Sequence, residues 1–309
     1  MVTTQKTTAA AIPTEADVRK AATTIAPYVR RTPNLRTEHN GRELVFKLEH
    51  LQRTGSFKIR GAVNALLAGP LPKKVIAVSG GNHGLAVATA AAILGVPATI
   101  YAPEYIPAGK ARRIRAAGAE LVTFELIATA FAEGQRVAEA DPDTAYLHPF
   151  ALPEVIAGQG TCVAEAVADD PEIDSIVVSV GGGGLASGAV LGSGGRHVVA
   201  VEPDGCRCLY DARVAGHPVE SAVDSVASSA LGANRTEDLN FAILNTDAVT
   251  SVLVTDEELL AARDLLWSEF RLAVEPGAAV PFAAWLAGRV PGELPCIVLC
   301  GANTDWTPA

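Results

Sequence analysis

The sequence predicts an α/β protein of two lobes, each built on a doubly wound, mostly parallel sheet. Three observations carry that expectation. Short β-branched runs alternate with helical stretches along nearly the whole chain. Three of these runs end in polar–glycine turns, at 79–84, 181–184 and 300–303, and ligands of such sheets bind beyond the carboxyl ends of strands. The alternation also pauses at "HPFALPEVIAGQGT" and then restarts, which makes two α/β series with a cleft between them.

In chain order, Thr14 opens a polar, N-cap-like stretch, and a helix follows to about Val29. Pro33 in "RRTPNL" breaks it. "LVFKLEHL" has strand character, and "SFKIRGAVNALLAG" reads as a helix starting near Ser56. "KKVIAVSGGNHG" is a short apolar run entering a glycine turn. A helix over 83–94, a strand over 98–101, a helix over 108–117, a strand over 120–124, a helix over 128–140 and a strand over 145–148 follow. The second series runs from the strand "SIVVSV" through a glycine loop and short helix to the strand "HVVAVE". It continues with "SVLVT", helices over 256–270 and around 278–288, and a final strand, "CIVLCGAN". The uncharged run at 85–102 approaches the length of a membrane span. "GVP" at 95–97 divides it, so it reads as a buried helix followed by a buried strand.

Composition narrows the function classes. The 309 residues are 49% hydrophobic and 19% charged, with a mean hydropathy of +0.24, as expected of a core-rich globular chain. A net charge of -9 argues against a nucleic-acid binder. Lys110, Arg112, Arg113 and Arg115 lack interleaved aromatics and read as a solvated helix face. The five cysteines form no CxxC pair, which points to a reduced, cytoplasmic chain. "MVTTQKTTAAAIPTEADV" contains no apolar core long enough for a secretory signal.

The glycine loop can be read in two ways. Gly181-x-Gly183-x-x-Ala186 fits a dinucleotide fingerprint, and Glu202 ends the next strand about 20 residues on, where a ribose-binding acid would stand. On spacing alone an NAD-dependent oxidoreductase is an open reading. Four consecutive glycines, however, allow successive N–H groups to converge on a compact phosphate at a helix start. A second feature bears on the choice. Lys58 lies between Phe57 and Ile59 in "TGSFKIRGAVNAL"; Asn82 offers an amide in "SGGNHG"; Cys300 ends a strand with a neutral group. A phosphate nest, an amine, an amide and a neutral partner together suit pyridoxal phosphate, whose aldehyde condenses with an amine.

With those motifs the chain resembles the fold-type II pyridoxal-phosphate enzymes, of the serine/threonine dehydratase and serine racemase group. The resemblance runs from "RRTPNL" to "CGANTD" through "TGSFKIRGA", "SGGNHG", "VIAGQGT", "SVGGGGLASG", "VEP", "AVEPGAA" and "LCGAN". It implies a tryptophan synthase β-like fold, with a small domain at 72–153 inserted in a large cofactor-binding domain of 1–71 and 154–309. It implies that Lys58, beside Phe57, carries the cofactor. Gly181, Gly182, Gly183, Gly184 and Leu185 would grip the phosphate. Asn82 would bond the ring hydroxyl, and Cys300 would face the ring nitrogen. Ser79, Gly80, Gly81, Asn82 and His83 would hold the substrate carboxylate. The implied reaction is deamination of L-serine or L-threonine by β-elimination, to a 2-oxo acid and ammonia, in a homodimer.

Several positions depart from relatives. Serine racemases resemble "SSGNHG" and use the second serine as an acid/base on the opposite face. Gly80 stands there in this chain, which argues against racemisation. Cysteine synthases, a β-replacement group, resemble "SxKDR" and "GNTG", so "SFKIRG" and "GNHG" fit the dehydratases better. Hydroxyaspartate is an alternative substrate. Ala151 and Leu152 replace residues that are often acidic, and Ser225 replaces a common glycine. Some relatives also bind a divalent cation after the "VEP" strand through a Glu, a carbonyl and an Asp. Glu202 and the carbonyl position at Cys206 match, but Cys208 stands at the Asp position. Hard cations take oxygen ligands, so no metal is expected.

Overall fold

The computed structural model describes residues 11–306; most of the N-terminal stretch tested for a secretory signal lies outside them. Helix α1 (Glu15–Ile25) begins where the Asp17 carboxylate accepts from both the amide and the hydroxyl of Thr14. It ends four residues before Val29, because Pro27 has no N–H to continue the ladder. Strands β1 (Asn34–His39) and β2 (Arg42–Lys47) form an antiparallel hairpin on Asn40 and Gly41, whose φ values are 53° and 73°. The sequence reading did not foresee β1, although an Asn-Gly pair between strands is a standard signal of this turn. Two short 3₁₀ turns then lead to α2 (Lys58–Leu66). The helix starts two residues later than expected because Ser56 is extended and bridges Gly301.

The middle of the chain alternates as expected: β3 (Lys74–Val78), α3 (Asn82–Leu94), β4 (Ala98–Pro103), α4 (Ala108–Ala116), β5 (Glu120–Phe124), α5 (Ile127–Ala140) and β6 (Thr144–Tyr146). These strands form one parallel sheet in the order β5-β4-β3-β6. The uncharged run at 85–102 divides between α3 and β4, and no described helix is long and apolar enough to cross a membrane. The chain continues through α6 (Pro153–Asp169), β7 (Ser175–Ser179), α7 (Gly184–Gly192) and β8 (His197–Pro203). Next come three short helices, α8 (Cys208–Ala215), α9 (Ser228–Leu231) and α10 (Asp238–Leu244). The last elements are β9 (Val249–Val254), α11 (Asp256–Phe270), α12 (Pro276–Leu286) and β10 (Pro295–Val298).

The larger sheet has the order β1-β2-β10-β7-β8-β9, parallel except for the β1–β2 pair. The larger sheet therefore draws strands from both sides of the smaller one in sequence. Its inner strands are apolar on both faces, as a sheet covered by helices on two sides requires. Phe46, Val177, Val199, Phe282 and Trp285 belong to its core; a second core centres on Ile59, Val75, Ala90 and Ile100.

Candidate active site

The three glycine turns follow β3, β7 and β10, all at carboxyl ends of parallel strands. Long-range contacts bring them together. The amide of Phe57 donates to the carbonyl of Cys300 (3.1 Å), so the end of β10 fixes the start of α2. Lys58, the first residue of that helix, is half-buried, and its Nζ donates to the Pro149 carbonyl at 2.8 Å. Burial pulls its pKa down to about 8; Cys300 and Glu275 oppose that shift. A lysine in this range is a neutral amine for an appreciable part of the time at neutral pH. Two residues on, Arg60 is fully buried and makes paired hydrogen bonds to Glu49 (2.8 Å twice) and to Glu165 (2.8 and 2.7 Å).

The glycine loop connects β7 to α7. Gly183 has φ +97°, a left-handed conformation that glycine adopts without strain. A Cβ on Gly182 would lie 2.3 Å from the Phe150 ring, so the close approach excludes any side chain. Cys208 Sγ donates to the Gly181 carbonyl and Thr236 Oγ1 to the Gly182 carbonyl, each at 3.2 Å. Since each peptide is planar and trans, holding those carbonyls directs the N–H groups of Gly182 and Gly183 to the opposite side. Neither amide has a hydrogen-bond acceptor among the described residues. Leu185 is buried in the first turn of α7. Beside the loop, the amide of fully buried Gln159 has no partner for Oε1 or Nε2, and Oε1 lies 2.8 Å from the Cβ position of Gly184. Orphaned buried polar atoms and free amides at a helix start fit an anionic group.

Asn82 begins α3. Its Nδ2 donates to Glu275 Oε1 (2.7 Å), and its Oδ1 accepts from Asn303 Nδ2 (2.8 Å). The second Nδ2 hydrogen remains for a ligand. Glu275, just before α12, is raised to about 7 by burial, against the opposing hydrogen bond from Asn82. Cys300 is buried, pushed up to about 12 by that burial, and therefore a neutral thiol; its Sγ lies 3.3 Å from Ser179 Oγ. In the turn after β3, Ser79 Oγ accepts from the Gly81 amide at 3.1 Å. A Cβ on Gly80 would lie 3.1 Å from Ile106 Cγ1. His83 is buried; its Nε2 is 2.9 Å from the Leu147 carbonyl, and burial lowers its pKa to about 3. It is neutral, and its Nε2 faces the Leu147 carbonyl.

Sequence reading singled out neither Glu275, Asn303, Gln159 nor the Pro149–Phe150 pair as site residues. Glu275, Asn303 and Gln159 sit in the quoted motifs "AVEPGAA", "LCGAN" and "VIAGQGT", but Asn82, the partner of the first two, lies 193 and 221 residues away in sequence.

Comparison with known proteins decides between the two readings of the loop. Residues 25–301 match the family model described as pyridoxal-phosphate dependent enzyme. The chain belongs to that family. It is 38% identical to serine racemase of Bos taurus, over 94% of this chain and 93% of the relative. It is 32% identical to the beta-hydroxyaspartate dehydratase of Paracoccus denitrificans, over 95% and 97%. The crystal structure of the T.th. threonine deaminase superposes with a TM-score of 0.89 at 35% identity, covering 96% of this chain and all of that one. The fold is therefore fold-type II, and the cofactor is pyridoxal phosphate. The free amides and Gln159 beside the loop fit its phosphate, and the half-buried Lys58 fits its aldehyde.

Proposed function

We propose that this family member deaminates L-serine or L-threonine by β-elimination, releasing a 2-oxo acid and ammonia. The observation that carries the choice of reaction is the turn after β3. Racemisation needs an acid/base on each face of the substrate, and Gly80 has no side chain to supply the second. A Cβ there would also meet Ile106 Cγ1 at 3.1 Å, a tight contact. The serine racemase relative therefore shares the fold of this chain without dictating its chemistry.

When bound, the cofactor supplies an electron sink for the bonds at the substrate α-carbon. Lys58 holds the cofactor and, as a neutral amine, takes the α-proton on Nζ. The backbone amides at 79–83 bind the substrate carboxylate by charge-assisted hydrogen bonds. The 181–185 loop anchors the phosphate, and Asn82 orients the ring through its remaining N–H. Cys300, a buried neutral thiol, would stand at the ring nitrogen and would offer it no carboxylate charge. The division at 72–153 belongs to the same reading, as does a homodimer. All five cysteines are free and buried, which is in keeping with a cytoplasmic setting.

The test is incubation of the yellow holoenzyme with L-serine, L-threonine and hydroxyaspartate, following 2-oxo acid, ammonia and D-serine separately. Equal release of 2-oxo acid and ammonia from L-serine or L-threonine supports the reading. Faster formation of D-serine than of 2-oxo acid, or turnover of hydroxyaspartate alone, overturns it.

A further inference from the structure

Strand β8 ends in Val201, Glu202 and Pro203, the place where some resembling enzymes hold a divalent cation through a Glu, a carbonyl and an Asp. In this chain the donor set does not fit such an ion. Glu202 is fully buried, and each carboxylate oxygen accepts a backbone N–H at 2.8 Å, from Leu209 and from Tyr210. Both donors belong to the first turn of α8, where backbone amides have no acceptor within the helix. Cys208, at the Asp position, is buried and points its Sγ at the Gly181 carbonyl, 3.2 Å away. A hard cation takes roughly six or more oxygen ligands; here the third side chain is a thiol already hydrogen-bonded elsewhere. The intervening turn is closed by backbone: Cys206 N donates to Pro203 O (2.9 Å), Asp224 N to Gly205 O (2.8 Å) and Asp204 N to Val254 O (2.9 Å). Among the described residues no cluster of His, Cys, Asp or Glu has the spacing of a metal site.

We propose that a carboxylate–thiol brace replaces the cation in this chain and positions the glycine loop. Glu202 ties β8 to the start of α8, and the next link, Cys208, ties α8 to Gly181. Gly181 opens the loop whose amides would meet the cofactor phosphate, so Cys208 is a positioning residue one contact away from it. Stability and cofactor retention are then insensitive to divalent cations and to chelators. The retention half rests on the cofactor site described above. The cation half rests on the brace alone and reads the same whatever reaction the enzyme catalyses.

The experiment compares thermal unfolding of the holoenzyme in EDTA and in millimolar Mg²⁺, Ca²⁺ or Mn²⁺, together with equilibrium dialysis of pyridoxal phosphate. The wild-type midpoint is expected to be the same in all four conditions. Cys208→Ala removes one hydrogen bond and should weaken retention about three- to tenfold, equally with and without cations. Cys208→Asp restores an oxygen ligand and should gain a midpoint several degrees higher in Ca²⁺ or Mg²⁺ than in EDTA, by linkage. A wild-type midpoint that moves with any of the cations overturns the proposal. So does wild-type retention in Cys208→Ala, or a folded Cys208→Asp protein that responds to no cation. If Cys208→Asp folds only with a cation, the proposal is supported; if it folds in no condition, the first two arms decide.

Discussion

Lys58 and Arg60 are two cations on the first turn of one helix, and the fold treats them in opposite ways. Arg60 is sealed in with Glu49 and Glu165, and its charge is matched on both edges of the guanidinium. Glu49 is itself fully buried; burial pushes its pKa up, but Arg60 and Thr32 outweigh that and hold it down. Among the described residues, Lys58 Nζ has the Pro149 carbonyl as its one hydrogen-bond partner. A guanidinium stays charged in any case, and its carboxylate partners compensate its burial; the more weakly basic amine, buried with a carbonyl as its partner, can shed its proton. Burial alone does not decide protonation; intrinsic basicity and the partner decide with it. The same contrast recurs among the acids. Glu49 faces an arginine and stays ionised, whereas Glu275 faces the Asn82 amide and rises to about 7.

The largest break in this contrast is removal of the bare amine. Lys58→Ala should lower elimination by about 10³-fold or more while leaving the unfolding midpoint nearly unchanged. It should also abolish the borohydride-stable cofactor adduct, read by mass spectrometry. Removal of the paired cation should do the reverse. Arg60→Met leaves Glu49 buried without its partner and should cost about 3–5 kcal/mol of stability, measured by denaturant unfolding. Turnover per cofactor-loaded molecule should change little.

The protonation state of Lys58 gives a third, smaller effect. Only the neutral amine attacks the aldehyde, so the rate of cofactor capture by apoprotein should rise with pH and level off above about 8. Below that point it should fall about tenfold per pH unit; a rate flat down to pH 6 would contradict a bare lysine. Glu275→Gln gives the smallest. The folded-state pKa of Glu275 is raised from 4.5 to about 7, so its neutral form carries a stabilising contribution at low pH. That contribution is lost as pH rises through about 7. Replacement by the neutral amide should flatten the decline in stability between those values while keeping a partner for Asn82, as followed by thermal unfolding against pH.

Much of this arrangement could be read from the sequence, and what could not has a physical reason. The alternation of β3 through β6 was readable because its central strands, β3 and β4, are short, apolar and buried, and glycine or proline closes them. The β1–β2 hairpin has a local signal in Asn40-Gly41, but β1 itself, NLRTEH, is polar and carries no apolar run. Helices α8 to α10 carry only weak patterns at four to eight residues each, and tertiary packing supports them. Lys58, the glycine loop, Asn82 and Cys300 stand out as local motifs. Glu275 and Asn303 do not, because an acid and an amide acquire meaning only from the Asn82 side chain that both of them touch. Gln159 is similar: its signature is an unsatisfied amide, which no string of letters displays.

The return crossing at 147–152 carries a mechanical consequence. This short segment leaves β6 of the smaller sheet and enters α6, which packs beneath the larger one. Within it, Leu147 holds the His83 ring, Pro149 holds the Lys58 amine, and Phe150 lies against Gly182 while its carbonyl accepts from Asn240. One covalent run thus touches both the amine and the wall of the glycine loop.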